Sequence, residues 1–342
     1  MADRLADRLE ATPASASPLR TVLRRSLPFV VSAAIVYYYL RGMDWTALLV
    51  IAGRVELPLA LAAVAVPQLL NWLIGALLVQ RTLLWFHGPF SLRDYFWFRG
   101  ATYILAFINS ALGGGGQVLY QQRTAAISWT KLLGILLFRV GLGLWGITLV
   151  MIGATLALHA MGIAQRVQLN LQLWWGLLIF GLAWLVEAWI HWHHDRPFGL
   201  SRLVVRDREH EFWTAFRLAT PRHWLLTWAL TLPQLFATVI GYYFLNLAFG
   251  IDAPLAESLV VLPLAMLIMD LPVAFAGFGM ATVGWMTFFG DYASAEDITA
   301  LTLFLPMARM LCRAAIGVLS LKPALPQIER LLSSLKTPPR TP

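Results

Sequence analysis

Long apolar stretches, separated by short polar segments, run along most of the chain. A helix of about 20 apolar residues spans the hydrocarbon core of a membrane, which is about 30 Å thick. Such stretches predict about six full transmembrane helices. They are Pro28–Leu40, Leu57–Gln80, Leu132–Leu158, Leu171–Trp192, Trp224–Phe249 and Ala300–Leu321. The first, near the N-terminus, is shorter, but no small residues of a signal-peptide cleavage site follow it, so it is predicted to stay as a membrane anchor.

Two further apolar stretches are interrupted in the middle. The stretch Ser258–Asp291 is broken by Asp270-Leu271-Pro272 and again by Gly277-Phe278-Gly279. Its two arms, of roughly 13 to 17 residues, are at or below the shortest length that crosses the core. We therefore predict a re-entrant hairpin, which enters and leaves the membrane on the same side. Pro272, Gly277 and Gly279 are its predicted structural hinge.

The stretch Phe96–Trp129 has the same form and predicts a second re-entrant hairpin. Its two short arms surround a predicted break and hinge at four glycines, Gly113, Gly114, Gly115 and Gly116. Amide side chains flank these glycines at Asn109, Gln117, Gln121 and Gln122. The amides either line a cavity at the hairpin or satisfy the backbone groups that the break opens.

Composition and charge agree with a membrane protein. Hydrophobic residues make up 59% of the chain and charged residues 13%, and the mean hydropathy is +0.67, whereas about a quarter of the residues of soluble domains are charged. The net charge of +8 comes from basic residues placed between the apolar stretches. Because they form no single patch, they indicate orientation in a membrane and exclude a nucleic-acid partner.

The basic residues also predict the topology. Six arginines lie between His193 and His223, whereas no Lys or Arg occurs between Arg222 and Arg309. Since cytoplasmic segments are rich in Lys and Arg, both termini and the first hairpin's ends are predicted to be cytoplasmic, and the second hairpin opens outward. The expected location is the bacterial inner membrane.

The order of elements predicts an inverted repeat. A span, a hairpin and a span are followed by a single crossing and then by a second span, hairpin and span. Inverted repeats with broken helices are typical of transporters. The predicted fold class is an all-α membrane protein with about six full transmembrane helices and two re-entrant helical hairpins. The chain is predicted to consist of a basic tail (1–27), one membrane domain (28–321) and a C-terminal tail (322–342). The membrane domain contains a first repeat (57–158), a connecting helix (171–192), a basic loop (193–223) and a second repeat (224–321).

Charged residues inside the spans are the candidate binding groups, because a charge in hydrocarbon is costly and is usually functional. Arg309 lies near the middle of its span, and Arg313 follows one helical turn later on the same face. The pair could pass an anionic headgroup along the helix. Arg139 lies about 10 Å from the inner end of its span, so it either binds an anion or extends its guanidinium to the headgroups.

Asp270 is the ionisable residue at the break of the outer hairpin. It is either paired with an arginine or protonated part of the time, which would suit proton coupling, or it lies in a shallow hairpin and is hydrated.

Several motifs do not carry chemistry. Gly141, Gly143 and Gly146 match the spacing of a dinucleotide-binding loop but lie in a membrane helix with no preceding strand, so helix packing is favoured. The histidines at 191, 193 and 194 with Asp195 could hold a metal, yet a hydrated boundary explains them better. No catalytic set is evident, and neither a cofactor nor a metal is predicted.

The segments Ala111–Gly146 and Leu271–Leu319 resemble the two signature regions of the lysylphosphatidylglycerol-synthase transmembrane, or flippase-like, family. That family has a glycine-rich motif before an Arg-bearing helix, and a Leu-Pro and Gly-x-Gly motif before another. The resemblance implies movement of lipids or lipid-linked precursors between leaflets, and Arg139 matches the family's first helix arginine. The chain departs at Ser110-Ala111-Leu112, where the family has a proline, and at Met280-Ala281-Thr282, where it has an Arg-Glu pair.

We therefore predict a flippase-like transporter for an anionic phospholipid or lipid-linked headgroup, without the soluble aminoacyl transferase of some members. Two other classes stay open. One is a membrane-embedded transferase acting on a phospholipid or polyprenyl-linked substrate. The other is a non-transporting scaffold that partners a separate lipid-modifying enzyme. In each class, membrane lipids or lipid-linked precursors are the partners.

Overall fold

The computed structural model describes residues 50–51, 53–108, 110–160, 205, 207–269 and 278–336, and also 176, 179–180, 182–183, 186–187 and 189–192. Every regular element in these residues is helical. In chain order they are α1 (Leu57–Phe86), α2 (Leu92–Ile108), α3 (Ser110–Thr124), α4 (Trp129–Ala160), a 3-10 turn (Glu211–Trp213), α5 (Thr214–Leu218), α6 (Pro221–Ala248), α7 (Leu255–Met269), α8 (Phe278–Phe289) and α9 (Ala295–Lys336).

Four helices are long and apolar enough to cross a membrane. The helical ranges that meet this criterion are Leu57–Phe86, Trp129–Gly153, Pro221–Ala248 and Ala295–Ser334, and they correspond to four of the predicted spans. The described positions between 176 and 192, within a fifth predicted span, are also helical. The predicted span Pro28–Leu40 lies outside the described residues. The all-helical membrane class predicted from hydropathy is therefore confirmed.

The helices α2 and α3 form an antiparallel pair between two long helices. Gly113 approaches Ala106, Gln117 bonds to Thr102, and Gln121 bonds to Tyr95, so the two helices run in opposite directions. At 17 and 15 residues they are about 26 Å and 23 Å long, shorter than the hydrocarbon core.

The predicted position of the break in this pair was wrong. The described part of α2 ends at Ile108, and Gly113–Gly116 lie inside α3, which begins at Ser110. The physical reason is close packing, because a Cβ atom at Gly113 would lie 2.6 Å from the Cβ atom of Ala106. A glycine in a membrane helix allows such an approach without ending the helix.

One buried apolar cluster joins one end of six helices. It contains residues from the C-terminal end of α1, the start of α2, the end of α3, the starts of α4 and α6, and α5. Phe138 lies at its centre, 5.2 Å from the Phe86 ring and 6.1 Å from the Trp224 ring. The predicted topology places all of these helix ends on the same side of the membrane.

The last helix continues beyond its predicted end. Helix α9 runs to Lys336, so the segment predicted as a tail from Lys322 begins as helix. Ile328 and Leu331 pack against the buried cluster, and Gln327 donates a 2.8 Å hydrogen bond to Asp94. These tertiary contacts stabilise the part of α9 beyond Leu321, although the charged residues and prolines there favour the end of a helix.

The chain divides into two compact units, Val55–Pro263 with Met307–Pro342, and Met1–Arg54 with Leu264–Pro306. In the smaller unit, Trp285 of α8 is fully buried and its ring lies 6.0 Å from that of Phe289. The site described below lies within the larger unit.

Candidate functional site

Arg99 in α2 donates three hydrogen bonds to neighbouring helices within the larger unit. It lies seven residues after the start of the helix, which is about 10 Å along the axis. Its Nη2 atom donates to Asn71 Oδ1 at 2.9 Å and to the Asn71 carbonyl at 3.4 Å, and its Nη1 atom donates to Gln117 Oε1 at 3.3 Å. All three acceptors are neutral oxygens.

The amides around Arg99 form a connected network. Gln117 Oε1 also accepts a hydrogen bond from the Tyr95 hydroxyl at 3.3 Å, and Gln117 Nε2 donates to Thr102 at 3.0 Å. Gln121 Nε2 donates to the Tyr95 hydroxyl at 3.0 Å. The two predicted glutamines therefore orient a guanidinium, whereas Asn109, predicted beside them, lies outside the described residues.

Helix α1 leaves space for the Arg99 side chain. A Cβ atom at Gly75 would lie 2.5 Å from Arg99 Nη2 and 2.7 Å from its Cζ. Gly75 and Asn71 are one helical turn apart, so the same face of α1 provides both the space and the acceptor. Within the described residues, the buried Nε of Arg99 has no hydrogen-bond partner.

Arg313 in α9 lies close to the same site. Its Nε donates to Gln68 Oε1 at 3.3 Å. The Cζ atoms of Arg99 and Arg313 each lie 6.0 Å from the centroid of the Tyr103 ring. A cation at this distance from a tyrosine ring gains a modest cation–π attraction.

Close packing of α2 against α9 brings the two arginines together. A Cβ atom at Gly317 would lie 2.6 Å from Ile104 Cγ1, and one at Gly100 would overlap Ser320. Further along the same pair, Gln327 bonds to Asp94. Small residues that let two helix backbones approach are typical of membrane helix interfaces.

Two more predicted arginines interact with this pair. Arg139 is close enough to Arg99 and Tyr95 to interact electrostatically with both, and Arg309 interacts in the same way with Arg313. We call Arg99, Arg139, Arg309 and Arg313 the arginine cluster. Within the part of the chain that the structure describes, none of them forms an ion pair with a carboxylate.

The outer hairpin carries the remaining predicted site residues. Asp270, Pro272 and Gly277 lie outside the described residues, and Gly279 is in the first turn of α8. On either side of them, α7 and α8 have only 15 and 12 residues. In the histidine-rich segment, for which a hydrated boundary was preferred to a metal site, His193, His194 and Asp195 also lie outside the described residues.

Arg99 was not among the arginines predicted from the sequence, because it lies near the start of the stretch Phe96–Trp129 and not inside a predicted full span. A usable signal was present in the helical spacing. Tyr95, Arg99 and Tyr103 recur every four residues in α2, and Gln117 and Gln121 do so in α3, so each helix presents a polar stripe. Two polar stripes on adjacent short helices predict a shared polar site.

Comparison with known proteins gives one result. The model of a family described as the lysylphosphatidylglycerol synthase TM region matches residues 26–317. Neither the curated proteins nor the solved structures include a significant match.

Proposed function

Because the chain belongs to the lysylphosphatidylglycerol synthase transmembrane-region family, we propose that it is a flippase-like transporter. It moves an anionic phospholipid or a lipid-linked anionic headgroup between the leaflets of the bacterial inner membrane. Family membership by itself indicates a membrane protein linked to phospholipid modification or flipping. The finer proposal depends on the arginine cluster.

The main support for the proposal is that the guanidinium groups of Arg99 and Arg313 both lie beside the ring of Tyr103. Their hydrogen bonds within the described residues go to amide and carbonyl oxygens, which orient a guanidinium but do not neutralise it. A charged group in a membrane helix is costly unless an opposite charge compensates it. A phosphate group is suitable, since guanidinium groups bind phosphate through paired, charge-assisted hydrogen bonds.

The order of helices supports movement as well as binding. Two short helices, α2 and α3, lie between the long helices α1 and α4, and the short helices α7 and α8 lie between α6 and α9. This order supports an inverted repeat of two re-entrant hairpins, in which short helices leave a cavity that a headgroup can cross. Asp270, at the break of the second hairpin, is the proposed proton-coupling group.

A leaflet assay in proteoliposomes tests the proposal. Full-length protein is reconstituted with fluorescent phosphatidylglycerol or phosphatidylcholine, and the inner-leaflet fraction is followed by quenching from outside. Arg99→Gln and Arg313→Gln should each slow transfer of phosphatidylglycerol about tenfold, since each removes a charge-assisted contact. A proton gradient should accelerate transfer by the wild type but not by Asp270→Asn.

The matched control is Arg81→Gln, which removes the same charge from an exposed position on α1. It should transfer lipid like the wild type. Equal loss in Arg81→Gln, or equal rates for both lipids in the wild type, would exclude an anion-selective arginine site.

A further inference from the structure

A separate pocket lies where α2, α3 and the end of α9 meet. Its volume is about 220 Å³, and its lining includes Asp94, Tyr120, Arg123, Gln327 and Arg330. Arg330 lies nine residues beyond the predicted end of the last span, and Asp94 is in the first turn of α2. The pocket is therefore expected at the level of the lipid headgroups, away from the arginine cluster.

Among the described residues, the pocket contains a hydrogen-bond donor and a hydrogen-bond acceptor that have no partner. The Nε of Arg123 and the Oε1 of Gln327 are buried and have no hydrogen-bond partner among the described residues. The first is a donor and the second an acceptor. Buried polar atoms without partners are costly, which favours a ligand that supplies both partners.

The charges of the pocket are also of both signs. The guanidinium groups of Arg123 and Arg330 provide two positive charges, and Asp94 provides one negative charge. Gln327 Nε2 donates to Asp94 Oδ1 at 2.8 Å, which orients the carboxylate. The Tyr120 hydroxyl is near enough to Asp94 and Arg330 to interact electrostatically with each, and its ring is fixed by stacking 4.0 Å from Phe98.

We propose that this pocket binds a small phosphate ester that also carries an amine, with the phosphate on Arg123 and Arg330 and the amine on Asp94 and Gln327. Phosphoethanolamine has this chemistry, either as a free ester or as a lipid headgroup. The site is additional to the proposed transport path and does not depend on it.

Calorimetric titration of the full-length protein in a neutral detergent tests the site. Phosphoethanolamine should bind at least about tenfold more tightly than inorganic phosphate, because only the ester engages Asp94. Arg330→Gln should weaken both ligands about tenfold. Lys322→Gln, an exposed charge on the same helix, should change neither.

Asp94→Asn provides the sharpest readout. It keeps the acceptor for Gln327 but removes the charge, so it should weaken phosphoethanolamine and strengthen inorganic phosphate. A wild type that binds neither ligand, or an Asp94→Asn variant in which both affinities change in the same direction, would overturn the proposal.

Two further experiments distinguish a lipid headgroup from a soluble ester, and this pocket from the arginine cluster. Displacement of phosphoethanolamine by short-chain phosphatidylethanolamine would assign a lipid headgroup, and failure of displacement would assign a soluble ester. Binding must persist in Arg99→Gln. Its loss there would place the ligand on the arginine cluster and refute this pocket, whatever the result of the leaflet assay.

Discussion

Arg99 shows how a guanidinium is held in an apolar setting without being neutralised. Asn71 and Gln117 supply oriented oxygen atoms, and Gln117 is itself fixed by Tyr95 and Thr102. Neutral acceptors satisfy N–H groups but leave the positive charge in place. The residue is therefore positioned in advance for an anion, which lowers the ordering cost when that anion binds.

Substitution of Gly75 tests the position of the Arg99 side chain without destabilising the fold. Gly75→Ala places a Cβ atom 2.5 Å from Arg99 Nη2, so the flexible end of the arginine must move away from Asn71. We expect transfer of anionic lipid to fall about tenfold, which corresponds to loss of about one charge-assisted hydrogen bond. Thermal stability should be nearly unchanged, since alanine favours a helix more than glycine does.

The control for Gly75→Ala is Gly143→Ala, because no atom lies within 4 Å of the added Cβ at that position. The leaflet assay and a thermal unfolding curve are measured for both variants. Normal transfer by Gly75→Ala would show that the Arg99 contact with Asn71 is not needed.

At the scale of elements, the long helices α1 and α6 approach each other closely at Gly241. A Cβ atom at Gly241 would lie 2.5 Å from the Ala63 carbonyl oxygen and 2.7 Å from Pro67. These neighbours are backbone and a rigid ring, which cannot move aside as an arginine side chain can. The two long helices can keep this packing only with glycine at position 241.

Gly241→Ala should therefore destabilise the protein. Forcing an extra carbon into a packed interface costs about 1–3 kcal/mol, so the midpoint of thermal unfolding in detergent should fall. Gly153→Ala, on an exposed position of α4 with no atom within 4 Å, should not lower it. An unchanged midpoint for Gly241→Ala would contradict the close packing of α1 on α6.

The first hairpin shows which part of an element hydropathy can predict. The two apolar arms and the interruption between them were predictable, because two short apolar runs flank a polar and glycine-rich segment. The position of the interruption was not predictable, since a run of glycines can either open a helix or let two helices approach. The close approach of Gly113 to Ala106 shows that this glycine lets α2 and α3 pack together.

At the scale of the whole molecule, the remaining prediction is the membrane sidedness. Single cysteines are introduced into a Cys312→Ser background, which removes the chain's one cysteine. On intact cells, an impermeant maleimide should label Asp291→Cys but not Ser128→Cys or Lys322→Cys. All three positions are exposed.

The reason for this pattern is the strong difference in basic residues between the two sets of loops. After permeabilisation, all three variants should react, which controls for accessibility. Labelling of Asp291→Cys and Lys322→Cys from the same side would contradict a single crossing between them.

The sequence by itself determined the all-helical membrane class, the positions of the long helices and the family, because these depend on apolar length and local motifs. It also indicated Arg139, Arg309 and Arg313 as intramembrane charges. Only the tertiary structure revealed Arg99 as their neighbour and joined Gln68, Asn71 and Gln117 to them. These contacts join residues from four helices, and the distances between helices depend on how their small residues pack, which hydropathy along one chain does not encode.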